Sequence, residues 1–338
     1  MSNLPKFSKQ LGLFFSLIAI ASYSQTKTYS IAFGSCDNQR LKNELWKSID
    51  DNHPAAWIWG GDDVYSDTED MKELKENYGI QKNDSDYLQF ISNKQILGTW
   101  DDHDYGLNDG GEEYPYKRES QQLLFDFLGT SKDAPERFRD GVYNSRVIDF
   151  DVNKVKVIVL DTRFFRTAVT KAVNSKKRLQ PNPYGQGTIL GEAQWKWLEQ
   201  ELNASDAQFN VIVSSIQLVS DQHGFECWGN FPHEIDKLEK MLVASKAKGT
   251  FIISGDRHIA TFSSKKVTNL NYPLVDFTSS GLTHVYSSFS GEENRYQIGK
   301  VVSEKNFGLL QFDFTNNRVI MQIRGLENKL LGEHIQQY

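Results

Sequence analysis

Cysteine is scarce in this chain. Cys36 and Cys227 are the 2 present, which limits any disulfide framework to a single bridge. In an exported protein such a pair reads first as a disulfide. Cys36, however, lies in a Gly34-Ser35-Cys36-Asp37 cluster where a thiolate would suit a metal, and with 190 residues between the two, spacing leaves both readings open. No Gly-x-x-x-x-Gly-Lys-Ser/Thr loop and no Gly-x-Ser-x-Gly elbow occurs, so nucleotide-driven and serine-hydrolase chemistries have no anchor. Internal repeats, low-complexity tracts and Pro/Gly/Ser linkers are absent as well. Nor is there a basic excess: 38 Lys and Arg face 44 Asp and Glu, a net charge of −6, which argues against a nucleic-acid-binding surface. A phosphorylated substrate stays possible, because bound cations reverse the local field.

Long apolar runs are limited to the N-terminus. Lys6 and Lys9 precede an apolar stretch over residues 11–21, and small residues follow at Ser22-Tyr23-Ser24. This is the layout of a secretory signal peptide over residues 1–24, too short for a comfortable membrane span and with no cysteine behind it to carry a lipid. The expectation is a secreted or periplasmic protein with one domain over residues 25–338. Losing residues 1–24 removes two lysines and no acid, so the net charge falls from −6 to −8.

Five stretches share one design, a short apolar, β-prone run that ends in metal-grade side chains. Residues 29–33 lead into Gly34-Ser35-Cys36-Asp37, and residues 55–59 into Gly60-Gly61-Asp62-Asp63-Val64-Tyr65. Residues 95–100 open onto Asp101-Asp102-His103-Asp104, residues 156–160 onto Asp161-Thr162-Arg163, and residues 250–253 onto Ser254-Gly255-Asp256-Arg257-His258. Runs of this kind read as buried strands, and ligands of open α/β sheets collect beyond the carboxyl ends of strands. Carboxylates, a thiol, a phenol and imidazoles arriving together are hard to stabilise without a cation among them. A metal-centred active site is the first reading.

Around these runs the pattern alternates. Residues 41–52, 117–129, 190–203 and 233–247 have helical periodicity, with Leu190, Trp195, Leu198 and Leu202 on one face of the third. Alternation implies βαβ units and a sheet covered by helices. Residues 272–278, 307–314 and 318–324 are strands with few helices between them, and Thr315-Asn316-Asn317 reads as a hairpin turn. These predict a second, partly antiparallel sheet packed on the first. Two irregular segments read as active-site rim: the basic stretch 164–189 and the polar-aromatic stretch 220–232.

Each cluster has a plainer alternative. Asp62 and Tyr65 would otherwise be a turn carboxylate and a half-buried phenol, but a phenolate is a hard donor suited to ferric iron. Three carboxylates around His103 within four residues repel one another unless cations intervene, and Trp100 and Ile96-Leu97 leading in weaken the solvated-loop reading. Asp256 and His258, two apart, share a direction on extended backbone. Arg163 would either fork onto a phosphate or form an ion pair with Asp161. His223 and His233 are rim candidates; His53, His284 and His334 have no supporting context.

The order of the clusters resembles the alkaline phosphatase D (PhoD-like) branch of the calcineurin-like metallophosphoesterases. Cys in the first motif, Asp at 102 and Asp at 256 match the departures of that branch, as do Leu160-Asp161-Thr162-Arg163-Phe164-Phe165-Arg166, Leu190-Gly191-Glu192-Ala193-Gln194-Trp195, Trp228-Gly229-Asn230-Phe231-Pro232 and Asn306-Phe307-Gly308. The resemblance runs from about residue 29 to 324. It implies an α/β fold, the four-layer αββα metallophosphoesterase sandwich of two mixed β-sheets flanked by helices. It also implies that Cys36, Asp62, Tyr65 and His258 hold one ion, with Asp62 bridging to a second held by Asp102 and Asp256. The middle-histidine region appears as Val213-Ser214-Ser215-Ile216-Gln217 and has no histidine. The N-terminal β-domain of longer members is expected to be missing here.

The activity this resemblance implies is that of a secreted phosphoric-ester hydrolase acting on a phosphate-ester substrate. Thiolate plus phenolate suits Fe3+, and oxygen-only ligands suit Ca2+. Asp62 and His103 are the expected catalytic residues, His103 acting on the leaving oxygen, with Arg163 and Trp228 holding the substrate. The alternative from another class is a non-catalytic surface protein of the same fold that binds calcium or a glycan.

Overall fold

The computed structural model describes residues 1–2, 29–173 and 175–338. Apart from Met1 and Ser2, the expected signal segment lies outside the described residues. No helix among the described residues is long and apolar enough to cross a membrane.

The first half of the chain supplies β1 (Tyr29–Gly34), β2 (Ala56–Gly60), β3 (Gln95–Thr99), β4 (Asn144–Phe150), β5 (Asn153–Val159), β6 (Thr170–Lys171) and β7 (Leu179–Gln180). The second supplies β8 (Phe209–Ser214), β9 (Thr250–Ser254), β10 (Ala260–Lys265), β11 (Leu274–Ser279), β12 (Gln297–Val302), β13 (Phe307–Asp313), β14 (Arg318–Arg324) and β15 (Leu330–Gln337). Helices are α1 (Trp46–Asp50), α2 (Met71–Lys82), α3 (Ser85–Ile91), α4 (Asp102–Tyr105), α5 (Lys117–Phe127), α6 (Gly191–Ala204) and α7 (Pro232–Ala244).

Two mixed sheets face each other. One has the order β15-β14-β13-β1-β2-β3 and the other β12-β10-β11-β9-β8-β5-β4, with β6 and β7 pairing apart as a small hairpin. β1, β2 and β3 run parallel, as do β5, β8, β9 and β11. Their side chains explain the layering. Strands buried on both faces, such as β2 (AWIWG), β8 (FNVIVS) and β9 (TFIIS), are near-continuous apolar runs, as parallel strands covered on both sides require. Phe33, Ile58, Val157, Val211, Ile253, Phe277 and Leu310 fill the space between the sheets. α1, α2, α3 and α5 cover the outer face of the first sheet through Trp46, Leu74, Tyr87 and Phe125. α6 and α7 cover the second through Trp195, Leu198, Leu202, Leu238 and Leu242. This is the four-layer αββα sandwich.

The expected division of the strands needs correction. The C-terminal strands do not make a second sheet of their own. β13 pairs antiparallel with β1, so β13, β14 and β15 extend the first sheet, while β10, β11 and β12 complete the second. Pairing partners this far apart in sequence are chosen by packing, which local pattern does not carry. The Thr315-Asn316-Asn317 turn does join β13 to β14, with Asn317 at a φ of 51°. Helices α2 and α3 occupy a region with no helical reading at the sequence level; Asp70 and Asp84 cap them by accepting from Lys72 and Tyr87 amides.

At the inter-sheet core the rings of Phe33 and Phe277 meet edge to face, 4.9 Å between centroids. Gly308 makes room for Phe33, since a Cβ there would fall 2.0 Å from the ring. Gly308→Ala should therefore cost about 1–3 kcal/mol by overpacking, and Phe33→Ala about 3–5 kcal/mol by leaving a cavity. Denaturant midpoints should fall in both with an unchanged slope; a wild-type midpoint for Gly308→Ala would refute the tight contact.

Candidate metal centre

The five strand ends arrive from both sheets, β1, β2 and β3 from one and β5 and β9 from the other. Short bonds stitch them together. Thr99 Oγ1 donates to the Leu160 carbonyl at 2.7 Å, Trp100 Nε1 to Asp161 at 2.9 Å, and the Gly255 amide to the Ser215 carbonyl at 3.0 Å. Gly255 has to be glycine, because a Cβ would stand 2.6 Å from Ser35 Oγ and 2.7 Å from the Gly60 carbonyl.

Immediately past these ends the backbone turns left-handed. Cys36, Asp62, Asp256 and His258 have φ of 61°, 55°, 67° and 53°. For residues with a Cβ this conformation costs free energy and concentrates at functional sites. The turn brings different strands' side chains to one point. Cys36 Sγ lies 3.4 Å from Asp62 Oδ2, and the Tyr65 hydroxyl lies 3.3 Å from the same oxygen. The other oxygen, Oδ1, accepts the His103 amide at 3.4 Å. Asp62, Asp102 and His103 offer ligand atoms within 4.8 Å of one another. The Tyr65 ring stands between imidazoles, 4.3 Å from His103 and 4.9 Å from His284.

The four-residue cluster 101–104 divides its work, which revises the expectation that its three carboxylates require cations. Asp104 turns inward and accepts the amides of Asp101 at 2.7 Å and of Asp62 and Asp63 at 3.2 Å each, fixing the β2 and β3 turns to each other. Burial raises its pKa to about 7 against those bonds. Asp101 pairs with Arg163, Nε to Oδ1 at 2.6 Å, and takes a bond from Ser215 at 2.7 Å. Asp102 remains for the site, its Oδ2 steadied by the Asp109 amide at 2.7 Å. Burial alone would lower the His103 pKa. The 2.7 Å bond to Asp67 and the charges of Asp62, Asp102 and Asp67 outweigh it and raise the pKa to about 10.

The remaining donors lack partners. Asp256 Oδ2 and His258 Nδ1 are buried without a hydrogen bond. Burial, opposed by Arg257 and reinforced by Asp101, Asp102 and Glu226, raises Asp256 to about 8. Burial with His284, His103 and Arg257 lowers His258 to about 4. Burial and the neighbouring Asp62 push the Cys36 thiol and Tyr65 phenol well above their ordinary values. A cation inverts this logic, because it favours the ionised form of each donor. A thiol, a phenol, a neutral imidazole and carboxylates with unused oxygens fit a metal cluster.

The structure places the two expected substrate residues inside the fold. Arg163 is fully buried, clamped by Asp101 and by Glu226 at 2.6 Å, and presents nothing to a ligand; its partners are also not Asp161, which accepts only its amide, at 2.9 Å. Trp228 is fully buried, donating to Ser214 Oγ at 3.0 Å, with its ring against Trp195. Cys36 and Cys227 are both free. Sequence reading missed Asp67, Asp109, Glu226 and His284. His284 had no local context, since the loop after β11 alone carries it to within 4.6 Å of the His258 ring.

Comparison with known proteins supports the fold and shows the family. Solved structures sharing the fold include PhoD, with a TM-score of 0.70 at 15% identity over 92% of this chain and 68% of that one. A dimetal phosphatase from Danio rerio has a TM-score of 0.56 at 10% identity, covering 92% of this chain and 99% of that one. GAP50, the anchor in the inner membrane complex of Plasmodium, has 0.58 at 13%, with 92% and 89% covered. The model of the PhoD-like phosphatase family matches residues 149–324, more than half of the chain, and the chain belongs to that family. Alkaline phosphatase D of Bacillus subtilis (strain 168) is 22% identical over 158 residues, which are 43% of this chain and only 27% of that relative's length.

If Arg163 is the buried counter-ion of Asp101 and Glu226, Arg163→Ala should cost about 3–5 kcal/mol by leaving charges unpaired. Thermal unfolding measures this. Wild-type stability with only a raised KM would restore the substrate-binding role.

Proposed function

We propose that this chain is an exported, metal-dependent hydrolase of phosphoric esters, with residues 25–338 forming its single catalytic domain. The observation that carries the reading is the convergence on Asp62, with the Cys36 thiol and Tyr65 phenol at one carboxylate oxygen and the His103 amide at the other. On this reading Cys36, Asp62, Tyr65 and His258 would hold a ferric ion, since thiolate and phenolate are strong donors to a high-valent cation. Asp62, Asp102 and Asp256 would hold a second ion, an all-oxygen set suited to calcium. Bound there, the cations would supply Lewis acidity toward the phosphoryl oxygens and lower the pKa of the water used for in-line attack.

The protein's own groups do the rest. Asp67 holds His103 through Nδ1, which leaves Nε2 to donate to the leaving oxygen. The Tyr65 ring, tilted against it with 4.3 Å between centroids, keeps that imidazole from rotating. Asp104 holds the Asp62 turn through two amides, so the Asp62 carboxylate is already placed before substrate arrives.

A chelator should abolish hydrolysis of a phosphomonoester or phosphodiester at alkaline pH, and the cognate metals should restore it. Asp62→Asn and His103→Ala should each lower kcat by about 100-fold or more; full activity in either sinks the assignment. Elemental analysis gives an independent check, as iron per chain should drop in Cys36→Ser and Tyr65→Phe. Calcium binding with no turnover on either ester class would instead favour a non-catalytic binding protein.

A further inference from the structure

The segment over residues 164–189 contains Arg166, Lys171, Lys176, Lys177 and Arg178 and no acidic residue, in a chain whose acids outnumber its bases 44 to 38. Nothing in the proposed chemistry uses this bias. Strands β6 and β7 fold part of the segment into a strap seated on the neighbouring loop, where the Arg178 and Leu179 amides donate to the Gly224 carbonyl at 3.1 Å and 2.8 Å. Lys177 fastens it further, reaching the Gln222 carbonyl at 2.6 Å and Glu293 at 2.8 Å.

Beneath the strap lies a cavity of about 530 Å3, lined among others by Asp109, Glu113, Arg166, Lys171, Arg178 and Leu179, with Glu113 exposed and accepting the Gly111 amide at 3.1 Å. It adjoins the candidate metal centre, because Asp109 belongs to both. The Asp109 amide holds Asp102 Oδ2 at 2.7 Å, and its carboxylate lies within 4.8 Å of Asp102 and Glu226 ligand atoms. The cavity's charges are not all committed. Arg166 is spent on Glu226 at 3.0 Å. Arg178 pairs with Asp109 through one terminal nitrogen, but its side chain is 52% exposed and a guanidinium has five N–H donors. Among the described residues Lys171 forms no ion pair, and it too is exposed. Val169 and Leu179 supply apolar wall between these cations.

We infer that this cavity is a second anion subsite, which selects phosphoric esters whose leaving group carries a further negative charge on an apolar spacer. The inference rests on the hydrolase reading for the position of the reacting phosphoryl group at Asp62 and Asp102. Lys171 and Arg178 then act as specificity-determining residues for the far end of the substrate. Arg178 needs no rearrangement for this, since Asp109 already orients its fork.

The test uses the metal-loaded full chain and two non-hydrolysable ligands with the same head group, phenylphosphonate and 4-carboxyphenylphosphonate. Calorimetry should give the carboxylate-bearing ligand about tenfold tighter binding, the scale of one charge-assisted contact at a partly exposed site. Lys171→Gln and Arg178→Gln should each reduce that ratio several-fold. Lys171→Gln breaks no ion pair, so it reports on the subsite and not on the fold. Equal affinities in the wild type, or a preference that survives both substitutions, overturns the inference. Turnover of the matching aryl phosphates separates the two readings: failure to hydrolyse either ester counts against the hydrolase, whereas the phosphonate ratio decides the subsite alone.

Discussion

Asp62, Asp101, Asp102 and Asp104 are buried at the junction of two sheets and Asp256 is half-buried beside them, where each carboxylate must be offset within a few ångströms or give up its charge. Much of the local structure follows from how this is done. Asp101 is offset by Arg163, which is in turn shared with Glu226. Asp104 is offset by backbone amides from two different turns. Asp62, Asp102 and Asp256 receive no comparable compensation, and Asp256 Oδ2 has no partner at all. The imbalance is local and directional, and it is what a bound cation would correct.

The sandwich is the frame that makes this imbalance sustainable. Parallel strands within each sheet present their carboxyl ends at one edge, and packing the two sheets face to face brings both edges together. Bonds between the edges, such as Thr99 to Leu160 and Trp100 to Asp161, hold the turns against the repulsion of their side chains. Left-handed backbone at Cys36, Asp62, Asp256 and His258 is the conformational cost of aiming the side chains inward. The inter-sheet core and the aromatic layer around Trp46, Trp57 and Trp59 offset it.

The buried network also separates holding residues from reacting ones, which residue type alone does not do. Arg163 and Arg166 both end on Glu226, and Trp228 ends on Ser214, so residues that resemble substrate clamps in sequence are internal braces. Exposed charge near the centre comes instead from the strap, at Lys171 and Arg178. In the hydrolase proposed above, such a strap on an electrically negative protein would distinguish the substrate's two ends, one facing carboxylates that need cations and the other facing Lys171 and Arg178.

Much of this was legible in the chain. The apolar runs that became β1, β2, β3, β5 and β9, the helices α5, α6 and α7, and the ligand-grade residues at strand ends all follow local rules of periodicity and turn chemistry. Those rules depend on neighbours a few residues away, so a single sequence carries them. The partition of strands between sheets did not follow, because β13 finds β1 across more than half the chain and only packing specifies that pairing. For the same reason His284 gained its place beside His258 and Tyr65, and Asp104 turned inward to the amides of Asp62 and Asp63. The sequence by itself determined which chemistry is present at the strand ends. The tertiary structure decided which of those groups stay unpaired, because charge compensation across a buried junction depends on distances that only the packed sheets define.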